Sequence, residues 1–169
     1  MVPVRLLGLA VDAGMQPVVL LTPLDAGDAG DAPRTLVPIW VGSQEAASIS
    51  VAVSGEQPAR PLSHDLMQRL LVAVEASVDR VDVTRIEHGT FYAELSLTTK
   101  DGRVRIDCRP SDGIALAARV GAPLFVAEAV IAKTGVLEGD DADDGADPEE
   151  KVEEFRRFLD DVDPEDFQG

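Results

Sequence analysis

The sequence predicts an α+β fold, a duplicated three-strand, two-helix unit forming a mixed, barrel-like sheet flanked by helices. Three observations predict it. Apolar strand-like stretches run twice into a strand-to-helix turn, once before Ser43 and again before Ser111. The distance from Val4 to Ser43 is 39 residues and from Val81 to Ser111 it is 30, and the excess matches a Gly- and Asp-rich loop at 25–33. Finally, 169 residues at 45% apolar content supply one domain with a sizeable core. The expected organisation is a domain over 1–137, with units at about 4–75 and 81–134, followed by an acidic linker and a helix over 138–169.

Val4–Val11 reads as the first strand; it carries Arg5 and runs straight into a turn, so it is not read as a signal peptide. Asp12-Ala-Gly14 reverses the chain into a second strand, Val18–Thr22. Leu36–Val41, apolar on both faces, is a third strand in which Pro38 asks for a bulge or an edge. Ser43 is expected to cap a helix that runs to about Ser54 and stops at Gly55. A second helix starts at Ser63, which is also read as its cap.

The pattern then restarts. Val81–Ile86 is a strand, Glu87-His-Gly89 a turn that leaves His88 exposed, and Phe91–Thr99 and Arg103–Arg109 are strands. Asp101-Gly102 reads as a type I′ loop, which pairs Leu97 with Ile106 and Leu95 with Cys108, all four expected to be buried. Trp40 and Phe91 are read as core. Pro110 ends the strand, Ser111 is expected to cap the next helix, Asp112 sits in its first turn and Gly121 stops it. A short connecting segment, Leu124–Val126, leads to a last helical stretch, Ala127–Thr134. Aligning Ser43 with Ser111 places Glu45 opposite Gly113.

Charge divides the chain. From Glu138 onward there are 15 acids and 3 bases, while the first 137 residues hold 16 acids and 12 bases. Neither part is the basic footprint of a dedicated nucleic-acid binder, so contact with RNA or DNA must be local. No apolar run approaches the roughly 18 residues of a membrane span, and no membrane partner is expected. The single Cys108 allows no intramolecular disulfide and is consistent with a reducing cytoplasm. In the tail, Val152, Phe155, Leu159 and Val162 recur at spacings of three and four after Asp147-Pro148. Such a stripe docks on its own domain or on a neighbouring subunit, and a homo-oligomer is expected.

Gly-rich phosphate loops, HExxH and GxSxG are absent, and one Cys with two His leaves little for zinc. What remains are helix starts. Glu45, Asp65 and Asp112 are read either as dipole complements or as oxygen ligands for Mg²⁺ or Mn²⁺. His64-Asp65 is read either as an ordinary capped start or as a proton carrier beside an acid. The two side chains are adjacent and should diverge. Arg109 could pair a phosphate oxygen.

The series Pro38-Ile-Trp-Val-Gly42, Glu45-Ala-Ala47, Arg60-Pro-Leu-Ser-His-Asp-Leu66, Gly89-Thr-Phe-Tyr-Ala-Glu-Leu95, Arg109-Pro-Ser-Asp112, Ala115-Leu-Ala117 and Ala122-Pro-Leu-Phe-Val126 resembles the bifunctional nuclease domain family. The resemblance covers roughly residues 4–137, and the end Pro164-Glu-Asp-Phe167 is similar to that of bacterial members. It implies cleavage of both RNA and DNA. The matching positions are Glu45, His64, Asp65, Arg109, Ser111 and Asp112, with Ala more usual where this chain has Gly113 and Thr where it has Ser63. The expected machinery is therefore His64, Asp65, Arg109, Ser111 and Asp112, with Glu45, Asp65 and Asp112 holding the divalent ion. The competing reading is a non-catalytic module that binds a protein or small ligand.

Overall fold

β-branched and leucine-rich runs separated by polar turns give two antiparallel meanders, each followed by a helix. A computed structural model describes residues 1–24, 34–56 and 58–138; the expectations for the loop at 25–33 and for the acidic linker and C-terminal helix lie outside the described residues. In chain order the elements are β1 (Val2–Val11), β2 (Pro17–Pro23), β3 (Thr35–Trp40), α1 (Ser43–Ser54), α2 (Ser63–Ala73) and β4 (Ser77–Glu87). They continue with β5 (Thr90–Thr99), β6 (Gly102–Cys108), α3 (Pro110–Val120), β7 (Leu124–Val126), α4 (Glu128–Thr134) and β8 (Val136–Leu137).

The eight strands form one mixed sheet in the order β6-β5-β4-β7-β1-β2-β3-β8. The sheet is open and does not close into a barrel: β6 and β8 are its two edges. Leu124–Val126, expected as a mere connection, is the strand that joins the meanders. It runs antiparallel to β1, with Val2 opposite Val126, and parallel to β4, with Val81 opposite Leu124. Pro38 is accommodated because β8 pairs only with Thr35 and Leu36, so the outer side of β3 at Pro38 needs no ladder donor.

α1 and α3 pack against each other. Ala46 and Ile49 of α1 meet Ile114 and Ala115 of α3 in a core shared with Leu21, Ile39 and Val83 of the sheet. A second cluster sets Leu116 and Ala117 of α3 on Val81, Leu95 and Leu97, with Leu71 of α2 against it. Gly113 belongs to this fit, since a Cβ there would stand 2.7 Å from the stiff Val81 side chain.

The hairpin register differs from the expectation by two residues. Thr99 pairs with Gly102, so the two-residue loop is Lys100-Asp101, and Leu97 faces Val104 while Leu95 faces Ile106. Thr99 draws the turn back, accepting from the Asp101 amide and donating to the Gly102 carbonyl. A shift of two preserves the faces, which is why the polar and apolar sorting looked right. Leu95 and Leu97 are buried and Cys108 is half-buried, but Ile106 is exposed because β6 is an edge that α3 does not cover. Trp40 is likewise exposed, at 55%, not core: alternation turns Val37 and Ile39 inward and Trp40 out, where its Nε1–H donates to Asp12. Phe91 packs half-buried against the main core, and His88 is exposed in its turn.

Gly102 has φ +119°, a conformation that side chains resist. Gly102→Val is expected to destabilise the domain by about 1–3 kcal/mol, the range for a strained backbone position. Urea unfolding of the variant beside the parent checks this; coincident curves would show that the turn does not need a glycine.

Candidate active site

Three helices begin close together, and none begins as the serines suggested. The N-cap positions are Gly42, Leu62 and Arg109, so Ser43 and Ser63 are the first helical residues and Ser111 is the second. Pro110 takes the first position of α3, where its fixed φ suits the helix and its missing N–H costs nothing. Glu45, Asp65 and Asp112 consequently all stand third in their helices, and Glu45 corresponds to Asp112 and not to Gly113. A carboxylate at that position faces the free N–H groups of the first turn. Asp65 shows the effect directly, its Oδ2 accepting from the Leu62 amide at 2.8 Å.

A continuous chain of contacts links the starts. Ser48 Oγ of α1 lies 2.8 Å from His64 Nδ1 of α2, and His64 Nε2 lies 3.3 Å from Asp112 Oδ1 of α3. Asp112 accepts two bonds from Arg109, from Nε at 2.8 Å and from Nη2 at 3.0 Å. The same Arg109 Nη2 reaches Glu45 Oε1 at 2.6 Å. The pairing sets the tautomer: Nε2–H donates to the carboxylate, and Nδ1 accepts from the Ser48 hydroxyl. Gly42 has room for this arrangement, because a Cβ there would collide with the Glu45 carboxylate. Ser48 and His64 are buried, whereas the Arg109 side chain is 65% exposed. The cation is therefore the outward face of the chain.

Asp65 points elsewhere, as adjacent helical positions must. Its Oδ1 is 2.6 Å from Nε of Arg119, whose side chain is 5% exposed and also donates to the Ser48 and Ala115 carbonyls. Burial pushes both the Asp65 and Asp112 carboxyls up, but Arg119 and the Leu62 amide outweigh it at Asp65, and Arg109 with His64 outweighs it at Asp112. Both are held below the usual carboxylate range. Their stabilisation is complete above about pH 4 and is lost as pH falls through the depressed values. Stability is accordingly expected to be flat from pH 7 to about 5 and to fall on further acidification. Urea midpoints across pH 2–7 check the sign. Cys108, beside this site, has its thiol pushed up to about 11, by burial first and then by the charges of Asp112, Asp107 and Glu94. At neutral pH it is a protonated thiol and a poor nucleophile.

The structure thus brings His64, Arg109, Asp112 and Glu45 together and sends Asp65 to Arg119. Ser111 is buried on α3 and takes no part in the contact chain. The three acids expected to hold Mg²⁺ or Mn²⁺, Glu45, Asp65 and Asp112, are each paired with an arginine. Two share Arg109, the third is held by Arg119, and no group of three metal-ligating side chains occurs among the described residues. Two members were missed from sequence. Ser48 sits in an apolar stretch of α1, three residues after Glu45 and on its face; Arg119, in the last turn of α3, reads as an ordinary dipole complement.

Two uncharacterized proteins of Mycobacterium tuberculosis strains, MT1877 and Rv1829, are each 41% identical over 170 residues, covering 98% of this chain and 98% of theirs. Bifunctional nuclease 2 of Arabidopsis thaliana is 31% identical over 99 residues, 57% of this chain and 30% of that protein. The family description "Bifunctional nuclease domain" matches residues 28–138, which hold every residue of the contact chain, and the chain belongs to the bifunctional nuclease domain family.

Proposed function

We propose that the chain hydrolyses phosphodiester bonds in RNA and DNA at the junction of α1, α2 and α3. The observation that carries this reading is the contact chain Ser48–His64–Asp112–Arg109–Glu45, which sets a buried imidazole behind an exposed guanidinium. Helix starts attract anions through their free N–H groups, and a guanidinium matches two phosphate oxygens at once. A phosphodiester taken by Arg109 draws that cation from Asp112 and Glu45 and opens His64 Nε2 to the substrate. DNA lacks the 2′-hydroxyl, so a site serving both polymers uses water as its nucleophile. With Nε2 parted from Asp112, the ring takes the other tautomer, its Nδ1–H donating to Ser48 Oγ, so that Nε2 accepts the proton of the attacking water and passes it to the leaving oxygen. Arg109 neutralises the charge that grows on the phosphoryl oxygens.

The other reading, a module that binds without cutting, is favoured by the pairing of the guanidinium with two carboxylates, which leaves no free cation in the contact chain. The discriminating experiment is cleavage of single-stranded RNA and double-stranded DNA by purified parent and Arg109→Lys proteins, in buffers with and without Mg²⁺ and Mn²⁺. Loss of about tenfold or more in the variant is expected, because an ammonium cannot make the bidentate contact. Parent protein that binds either polymer but leaves it intact in every buffer would establish the binding module.

A further inference from the structure

The helix α2 is built to be covered on two sides, and only one side is covered. Leu71 and His64 face the domain, and His64 is its sole buried residue. Leu62, Leu66, Met67, Leu70, Val72 and Val74 are each more than a third exposed, reaching 56% at Leu70, 61% at Val74 and 70% at Val72. At 100° per residue Leu66, Met67 and Leu70 fall within an arc of about 100°, Leu62 and Val74 cap the two ends of the helix, and Val72 lies off the stripe. Single exposed leucines need no explanation, but an unbroken stripe along a whole helix does.

We propose that the stripe on α2 is the docking site of the chain's own C-terminal segment, residues 148–163. Written on a helix, Val152, Phe155, Phe158, Leu159 and Val162 occupy an arc of about 120°, close to the α2 stripe in width. Charge agrees as well. Residues 147–163 hold eight acids and three bases, while the exposed Arg60 and Arg69 flank the α2 stripe. Reach is sufficient. The described chain leaves at Glu138, where β8 is anchored by the Glu138 amide bonding to the Arg34 carbonyl. α2 packs on α3 and, through Leu71, on the cluster that α3 forms with β4 and β5. From β8 to β4 is five strand positions, about 24 Å across the sheet. Residues 139–147 extend to at most about 30 Å, so the linker is long enough, with little slack. An antiparallel helix pair of this kind buries both stripes and leaves the acidic linker in water.

The test is amide hydrogen exchange on the full chain and on a full-length Phe155→Glu/Leu159→Glu variant, with mass in solution measured over a hundredfold range of concentration. Far-UV circular dichroism confirms that the variant is folded. The segment 63–74 is expected to exchange at least tenfold more slowly in the parent than in the variant, at every concentration and at monomer mass. Equal exchange in the two would overturn the proposal, showing that the segment does not cover α2. Protection that grows with concentration and accompanies a doubled mass would overturn it in favour of a second copy. A cross-check leaves the tail intact: Leu66→Glu/Leu70→Glu should free residues 148–163 to exchange, and no change there counts against the docking.

Discussion

Replacing His64 by Gln is expected to lower cleavage by about 10²–10⁴-fold, the usual contribution of a positioned proton carrier. The substitution is chosen because the amide can still meet both of the groups that hold the ring. Ser48 Oγ at 2.8 Å and Asp112 Oδ1 at 3.3 Å each keep a partner, so the stability cost should stay within about 1–2 kcal/mol. His64→Ala would be a poorer test, since it leaves two buried polar groups unpaired and confounds chemistry with folding. The readout is kcat on RNA and on DNA, with binding of an uncleaved analogue measured in parallel. Binding should persist, because Arg109 and the helix starts are untouched. A variant that cuts either polymer within tenfold of the parent rate would remove His64 from the reaction.

Asp112→Asn, by contrast, is not a clean exposed substitution. From the sequence Asp112 is a first-turn acid whose loss costs a few tenths of a kcal/mol of dipole interaction. In the structure it takes two bonds from Arg109 and one from His64, so an amide there also loosens the cation. Its effect on cleavage would mix both.

What could be read from the sequence was local. Strand ends, helix ends and Gly55 and Gly121 as stops depend on a few neighbouring residues, and they stand within one or two positions of the structure except at β4, which begins at Ser77, four residues before the expected Val81. Helix caps failed by one residue at Ser43 and Ser63 and by two at Ser111, because Pro110 takes the first position of α3 and the Asp65 carboxylate accepts from the start of α2. The hairpin slipped by two because Thr99 and Gly102 compete with Asp101-Gly102 for the turn, and apolar alternation cannot separate registers that differ by an even number. The site was legible as a set of residue types but not as a set of partners. Helix-start acids and His64 stand out in one dimension, whereas their sorting onto Arg109 or Arg119 depends on how α2 crosses α3. That crossing is long-range, and no short motif records it.

Arg119→Met should be among the most destabilising single changes in the chain, at about 2–4 kcal/mol near pH 7. The side chain is 5% exposed, and its loss leaves the Asp65 carboxylate with the Leu62 amide alone. Stripping one partner from a buried ion pair costs about 3–5 kcal/mol. Two features reduce that figure here: Asp65 is 22% exposed, so water takes up part of the charge, and Arg119 Nη2 is itself buried without a partner, so Met removes an orphan donor. The pair also predicts its own pH signature. The depressed Asp65 carboxyl makes its contribution above about pH 4 and loses it as pH falls through the folded-state value, so the cost of Arg119→Met should shrink on acidification. Asp65→Asn in the same chain removes the stranded charge and should restore part of the loss, a coupling that a double-mutant cycle measures. Urea unfolding of parent, both single variants and the double variant at pH 7 and at about pH 2.5 supplies every term. A cost below 1 kcal/mol, or one that does not change with pH, would mean that α2 is held on α3 by Leu71 and His64 without help from the ion pair.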